Sequence, residues 1–90
     1  MPLKAELSQA LAELEEEYRF WLVESIALDR GIENLEEKID QYEQDIGVAR
    51  AAEFRVRLDR TRERHSHIDA RLRYVHEQLL ELKTRLNAMP

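Results

Sequence analysis

The stretch QYEQDIGVARAAEF, residues 41–54, decides the fold, because two apolar ladders meet in it out of phase. Upstream, Leu7, Leu14, Trp21, Leu28, Leu35 and Tyr42 recur every seven residues, interleaved with Leu11, Tyr18, Ile32, Ile39 and Ile46. This is the a/d spacing of a helix packed along a partner, interrupted only by Ser25. Downstream, the same alternation of threes and fours links Ala51, Phe54, Leu58, Thr61, His65, Ile68, Leu72, Val75, Leu79, Leu82, Leu86 and Met89. Continuing the first ladder would place Glu53 and Val56 in the seam, two residues out of step with Ala51 and Phe54. Coiled coils absorb insertions of three or four residues by local over- or unwinding, and a slip of two is neither. The slip therefore predicts a turn within residues 46–50, with Gly47 in the left-handed conformation that closes a helix and Val48 as the apolar residue that follows.

Charge supports pairing the two ladders with each other. Residues 1–46 hold thirteen acids against four bases, and residues 47–90 hold six acids against ten bases, within an overall formal charge of -5. The e and g positions flanking the first seam include Glu15, Glu17, Glu24, Asp29, Glu36, Glu43 and Asp45. Those flanking the second include Arg50, Arg55, Arg57, Arg62, Arg64, Arg71, Lys83 and Arg85. Antiparallel pairing around Gly47 sets residues whose numbers sum to about 94 side by side, which runs the arginines along the acids; a parallel homodimer would set like against like. Exposed ion pairs are worth about 0.2–1 kcal/mol each, so they select partner and orientation more than they stabilise. Two uninterrupted helices from two chains would satisfy the same charges, and Gly47 with the slip favours the hairpin. In this register the polar seam residues Ser25 and Thr61 do not face each other, which counts mildly against it.

The reading is an all-α, antiparallel two-helix coiled-coil hairpin: one domain over residues 1–90, with helix 1 about 3–45 and helix 2 about 49–88. Each helix would be about 60 Å long. Charged residues make up 37% of the chain, and its two prolines stand at positions 2 and 90, so nothing inside forces a helix to stop. Gly31 offers a rival break, with Asn34 and Glu37 at capping-box spacing, but the ladder keeps its phase through it. A hairpin of this size has a seam rather than an enclosed core, so dimerisation into a four-helix bundle is expected to supply the missing burial. The absence of cysteine fits a reducing compartment, with cytoplasm as the default. The N-terminus lacks a basic segment followed by an apolar stretch, and the longest apolar run is Phe20 to Val23, so neither a cleaved signal nor a membrane span is expected. Met1 and Pro90 read as natural termini.

The most unusual local feature is Tyr18 to Leu28, where apolar residues go right around the helix. Trp21 and Leu28 belong to the seam, but Phe20, Leu22, Val23 and Ile26 occupy c, e, f and b positions that a hairpin leaves in water. Tyr18, Phe20, Trp21, Leu22, Val23 and Ile26 are the candidate protein interface, used for a homodimer or for docking another protein. The expected function is accordingly a non-enzymatic interaction module, such as an adaptor, assembly factor or scaffold.

The alternative is a nucleic-acid-binding hairpin using the segment Arg50 to Arg73, with Arg60, Arg62, Arg64 and Arg73 as phosphate contacts. Negative net charge, the interspersed Glu53, Asp59, Glu63 and Asp69, and acids on helix 1 that match the e/g arginines lower it to second place. His65, His67 and His76 lack the spacing that would let imidazoles share a metal ion, and His65 reads as a polar seam residue tuning register or oligomeric state, with a pH response if buried. No Gly-rich phosphate loop, HExxH or nucleophile with a neighbouring base is present, so no catalysis, cofactor or small-molecule substrate is expected.

Overall fold

A computed structural model describes residues 2–90 as two helices, α1 (Pro2–Asp45) and α2 (Val48–Asn87), folded back on each other as a hairpin. Met1, read above as the natural start, lies outside the described residues. The rival break at Gly31 is not used: α1 runs through it without interruption, as the unbroken ladder and the absence of interior proline require.

The turn is tighter than expected and built differently. Only Ile46 and Gly47 separate the helices, and Val48 is already the first residue of α2. The Ile46 N–H still donates to the Tyr42 carbonyl at 2.8 Å, so α1 keeps its helical bonding up to the last residue before the glycine. Gly47 then takes φ 92, ψ 159, an extended conformation at positive φ rather than the left-handed helical one, and acts as the N-cap of α2, its carbonyl accepting from the Ala51 N–H at 3.2 Å. Reversing a chain between two long helices in two residues demands a backbone that only a residue without Cβ adopts freely.

Both ladders form the seam. Ile39, Ala51, Leu58, Ile68, Val75 and Leu79 are buried, and the remaining ladder residues are at least half-buried except Ile46 at the turn. The register runs close to that expected from charge: Tyr18 packs on His76 and Tyr42 on Phe54, with ring centroids 6.0 and 4.7 Å apart. Ion pairs lock the flanks, with Glu43 bonded to Arg55, Glu36 to Arg62 at 2.9 Å on one side, and Glu17 to Arg71 on the other. The molecule is a rod of 67 × 15 × 14 Å built from only two helices, so residues outside the seam lie at its surface.

Candidate protein-interaction surface

Of the six residues expected to form an interface, four lie on the outside of α1. Phe20, Leu22, Val23 and Ile26 are 57%, 39%, 65% and 46% exposed; Phe20, Val23 and Ile26, at c, f and b, lie on the back of the helix away from α2, and Leu22, at e, lies on the flank beside the seam. Tyr18 and Trp21 are half-buried in the seam instead, since a and d positions face the partner helix. Trp21 nevertheless shapes the patch, because Phe20 stands edge-on against its ring at 5.0 Å between centroids and an interplanar angle of 77°.

A polar bracket holds Trp21. Its indole N–H donates to Glu17 at 3.2 Å, and Glu17 in turn accepts from the Arg71 guanidinium across the seam, with Nε at 3.0 Å. Arg71 also lies over the Tyr74 ring, 5.3 Å from its centroid. These contacts, Arg71 first and then Trp21, hold the Glu17 carboxyl below its ordinary pKa. The chain Phe20, Trp21, Glu17, Arg71 and Tyr74 therefore ties the exposed aromatic to both helices.

On the opposite flank, sequence reasoning missed a polar cluster. Ser25, only 8% exposed, donates from Oγ to Asp69 at 3.0 Å and lies 3.3 Å from His65 Nε2. Asp29 approaches the same Nε2 at 2.8 Å, and Asp69 approaches Nδ1 at 3.3 Å. Serine, histidine and aspartate thus stand in the order used by hydrolases, but the chemistry does not follow. Asp29 occupies the ring nitrogen that would take the serine proton, and the serine hydroxyl spends its hydrogen on Asp69. Both helices engage their backbone N–H groups internally, leaving no donor for an oxyanion. The two carboxylates sit at opposite ring nitrogens, so the groups do not converge on a metal position, and no group of three or more metal-ligating side chains does so among the described residues. The imidazole lies between two aspartates, one from each helix, with Ser25 closing the cluster on the α1 side. Ser25 faces this cluster, and Thr61 satisfies its own hydroxyl on the Arg57 carbonyl at 2.8 Å, so their failure to meet does not count against the register.

The arginines divide differently from the expectation that acids match all those at e and g. Arg55, Arg62 and Arg71 are paired, whereas Arg50, Arg57 and Arg64 have no carboxylate within ion-pair distance among the described residues. Register accounts for two of the three: the offset that sets Glu17 against Arg71 sets Arg57 against Gly31 and Arg50 against Lys38, while Arg64 falls opposite Glu24 without pairing with it. Of the four expected phosphate contacts, Arg62 is engaged by Glu36, and Arg73 lies about 140° around α2 from Arg60. Of the three left unengaged only Arg60 and Arg64 share a face, and Arg57, stacked 5.8 Å from the Phe54 centroid, joins them there. No helix among the described residues is long and apolar enough to cross a membrane. Family models, curated proteins and solved structures were each compared with the chain, and none matches it.

Proposed function

We propose that this chain is a non-enzymatic protein-interaction module, an adaptor, assembly factor or scaffold, whose working surface is the outer face of α1. The observation that carries this reading is the patch of Phe20, Val23 and Ile26, exposed on the side of α1 turned away from α2, with Leu22 exposed on its flank. Burying a side chain of this size is worth about 1.5–3 kcal/mol, against about 0.2–1 kcal/mol for a surface ion pair, so covering the patch outweighs any charge contact the hairpin makes. Phe20 is braced on Trp21, so little side-chain freedom is lost when it docks. Absence of cysteine suits work in a reducing compartment such as the cytoplasm.

Replacing Val23→Glu together with Ile26→Glu should leave helicity by circular dichroism unchanged, since both lie on the outer face. It should abolish whatever association the wild type shows by light scattering. Association that survives the double replacement sinks the reading. Phosphate binding by Arg57, Arg60 and Arg64 is the second reading, favoured by their sharing one unpaired face. Retention on a nucleic-acid column that falls steeply with salt would place it first, because apolar docking lacks that dependence.

A further inference from the structure

We propose that the occupant of this face is a second copy of the chain, packed antiparallel along α1 about a two-fold axis at Val23. The proposal rests on the outer face of α1 being the interaction surface, and adds the partner and the register.

Three features of α1 converge on Val23. The first is position: α1 spans Pro2–Asp45, so Val23 stands at its midpoint, and an axis there overlaps the two helices along their whole length. The second is the central line of the outer face, the f positions, which reads Gln9, Glu16, Val23, Arg30, Glu37 and Gln44. Glu16 and Arg30 lie one heptad on either side of Val23, and both are exposed. Antiparallel packing about Val23 therefore sets Glu16 beside the partner's Arg30, and by symmetry Arg30 beside the partner's Glu16. The third is the flanking rows. Phe20 falls beside the partner's Ala27, a small residue that leaves room for the ring, and Ile26 beside the stem of the partner's Arg19. Glu13 meets the partner's Asn34, Glu33 the partner's Ala12, and Glu37 the partner's Gln9, so no two like charges face each other.

Other arrangements lose this complementarity. Parallel packing sets Glu16, Arg30 and Glu37, all on the central f line, each against its own copy. Sliding the antiparallel pair by one heptad either faces Val23 with the partner's Arg30 and Glu16 with the partner's Glu37, or faces Val23 with the partner's Glu16. Either slide puts charge where the apolar contact should be. A compact bundle would press the ion-paired flanks, Glu36 with Arg62 or Glu17 with Arg71, against the second copy and desolvate them while leaving Val23 in water. The assembly is therefore a flat layer of four helices, in the order α2, α1, the partner copy's α1, the partner copy's α2.

The chain contains no cysteine, which permits a direct test. Val23→Cys should oxidise to a disulfide-linked dimer, while Glu37→Cys, two heptads from the axis, should not. Glu16→Arg alone and Arg30→Glu alone should each weaken dimerisation on the order of tenfold by sedimentation equilibrium, because both symmetry-related pairs become repulsive. Combining the two replacements in one chain should restore it. A wild type that stays monomeric at every accessible concentration overturns the second copy as occupant, while leaving the outer face open to a different protein. A dimer indifferent to the charge reversals, or one in which Val23→Cys fails to cross-link, overturns the register alone. A dimer that survives Val23→Glu overturns both this proposal and the function on which it rests.

Discussion

Glu17 accepts hydrogen bonds from two helices at once, from Trp21 one turn along in α1 and from Arg71 across the seam, and this makes it the residue through which acid should loosen the hairpin. Its pKa in the folded chain is lowered, chiefly by Arg71. A carboxylate with a depressed folded pKa contributes stability that is complete above its unfolded value and is lost as pH falls through the folded one. Wild type should therefore exceed Glu17→Gln in urea midpoint at neutral pH, and the gap should close as pH drops below the ordinary carboxylate range. A gap independent of pH would mean that the amide's geometry, not the charge, is responsible. The Ser25 cluster shows what spacing reveals and what it withholds. Ser25, Thr61 and His65 read along the chain as three unrelated polar interruptions of the seam. The charge-derived register already put Ser25 level with Asp69 and His65 level with Asp29, so the cluster was within reach of the sequence. The missing step was a geometric one: carboxylates at e positions lean over the seam and reach the polar a residues beside them.

At the scale of the helices, the two glycines have opposite roles, and their substitutions should move stability in opposite directions. Gly31 is helical, and a Cβ added there meets nothing within 4 Å. Gly31→Ala should thus stabilise by about 1 kcal/mol, by removing unfolded-state freedom and raising helix propensity. Gly47 holds φ 92 in open space, so the penalty of Gly47→Ala is purely conformational, about 1–3 kcal/mol of destabilisation. For a chain of this length each kcal/mol corresponds to roughly 4–8 °C in Tm, so calorimetry resolves both signs. A stabilising Gly47→Ala would show that the turn reverses by some other backbone path. Helix number, length and pairing were legible because the a/d ladder keeps its phase through Ser25 and Gly31, a two-residue slip demands a break at Gly47, and acids and arginines flank the two seams in complement. The turn's conformation was not. A glycine after a helix signals positive φ, but whether it ends the first helix or caps the second depends on the approach angle of α2, which the seam side chains set together. The exposed apolar residues Phe20, Leu22, Val23 and Ile26 were legible for the same reason as the seam: once the a/d phase is known, every other direction is known with it. The pairing of individual arginines was not, because it turns on the two flanks having different offsets across an antiparallel seam.

The whole molecule is a rod 67 Å long and two helices wide, and apolar side chains are exposed at its ends as well as along its back. Ile46, Val48 and Val56 stand exposed toward the turn, and Leu3 and Met89 border an open hollow at the other end. These ends could join rods head to tail, an arrangement that does not close and runs to filaments. The middle of α1 competes with the ends, and shape in solution separates the outcomes. Lateral pairing about Val23 leaves the long dimension unchanged and only widens the particle. Four helices spaced about 10 Å apart raise the radius of gyration from 20.0 Å to about 22 Å, whereas end-to-end joining doubles the length and raises it to roughly 39 Å. Small-angle scattering across a concentration series should therefore show mass doubling with little change in maximum dimension. Glu16→Arg should return the particle to the narrow rod without shortening it, since the charges it upsets act along the helix axis and not at the tips. Growth in length with concentration would instead mean that the tips carry the association and that the back of α1 stays bare.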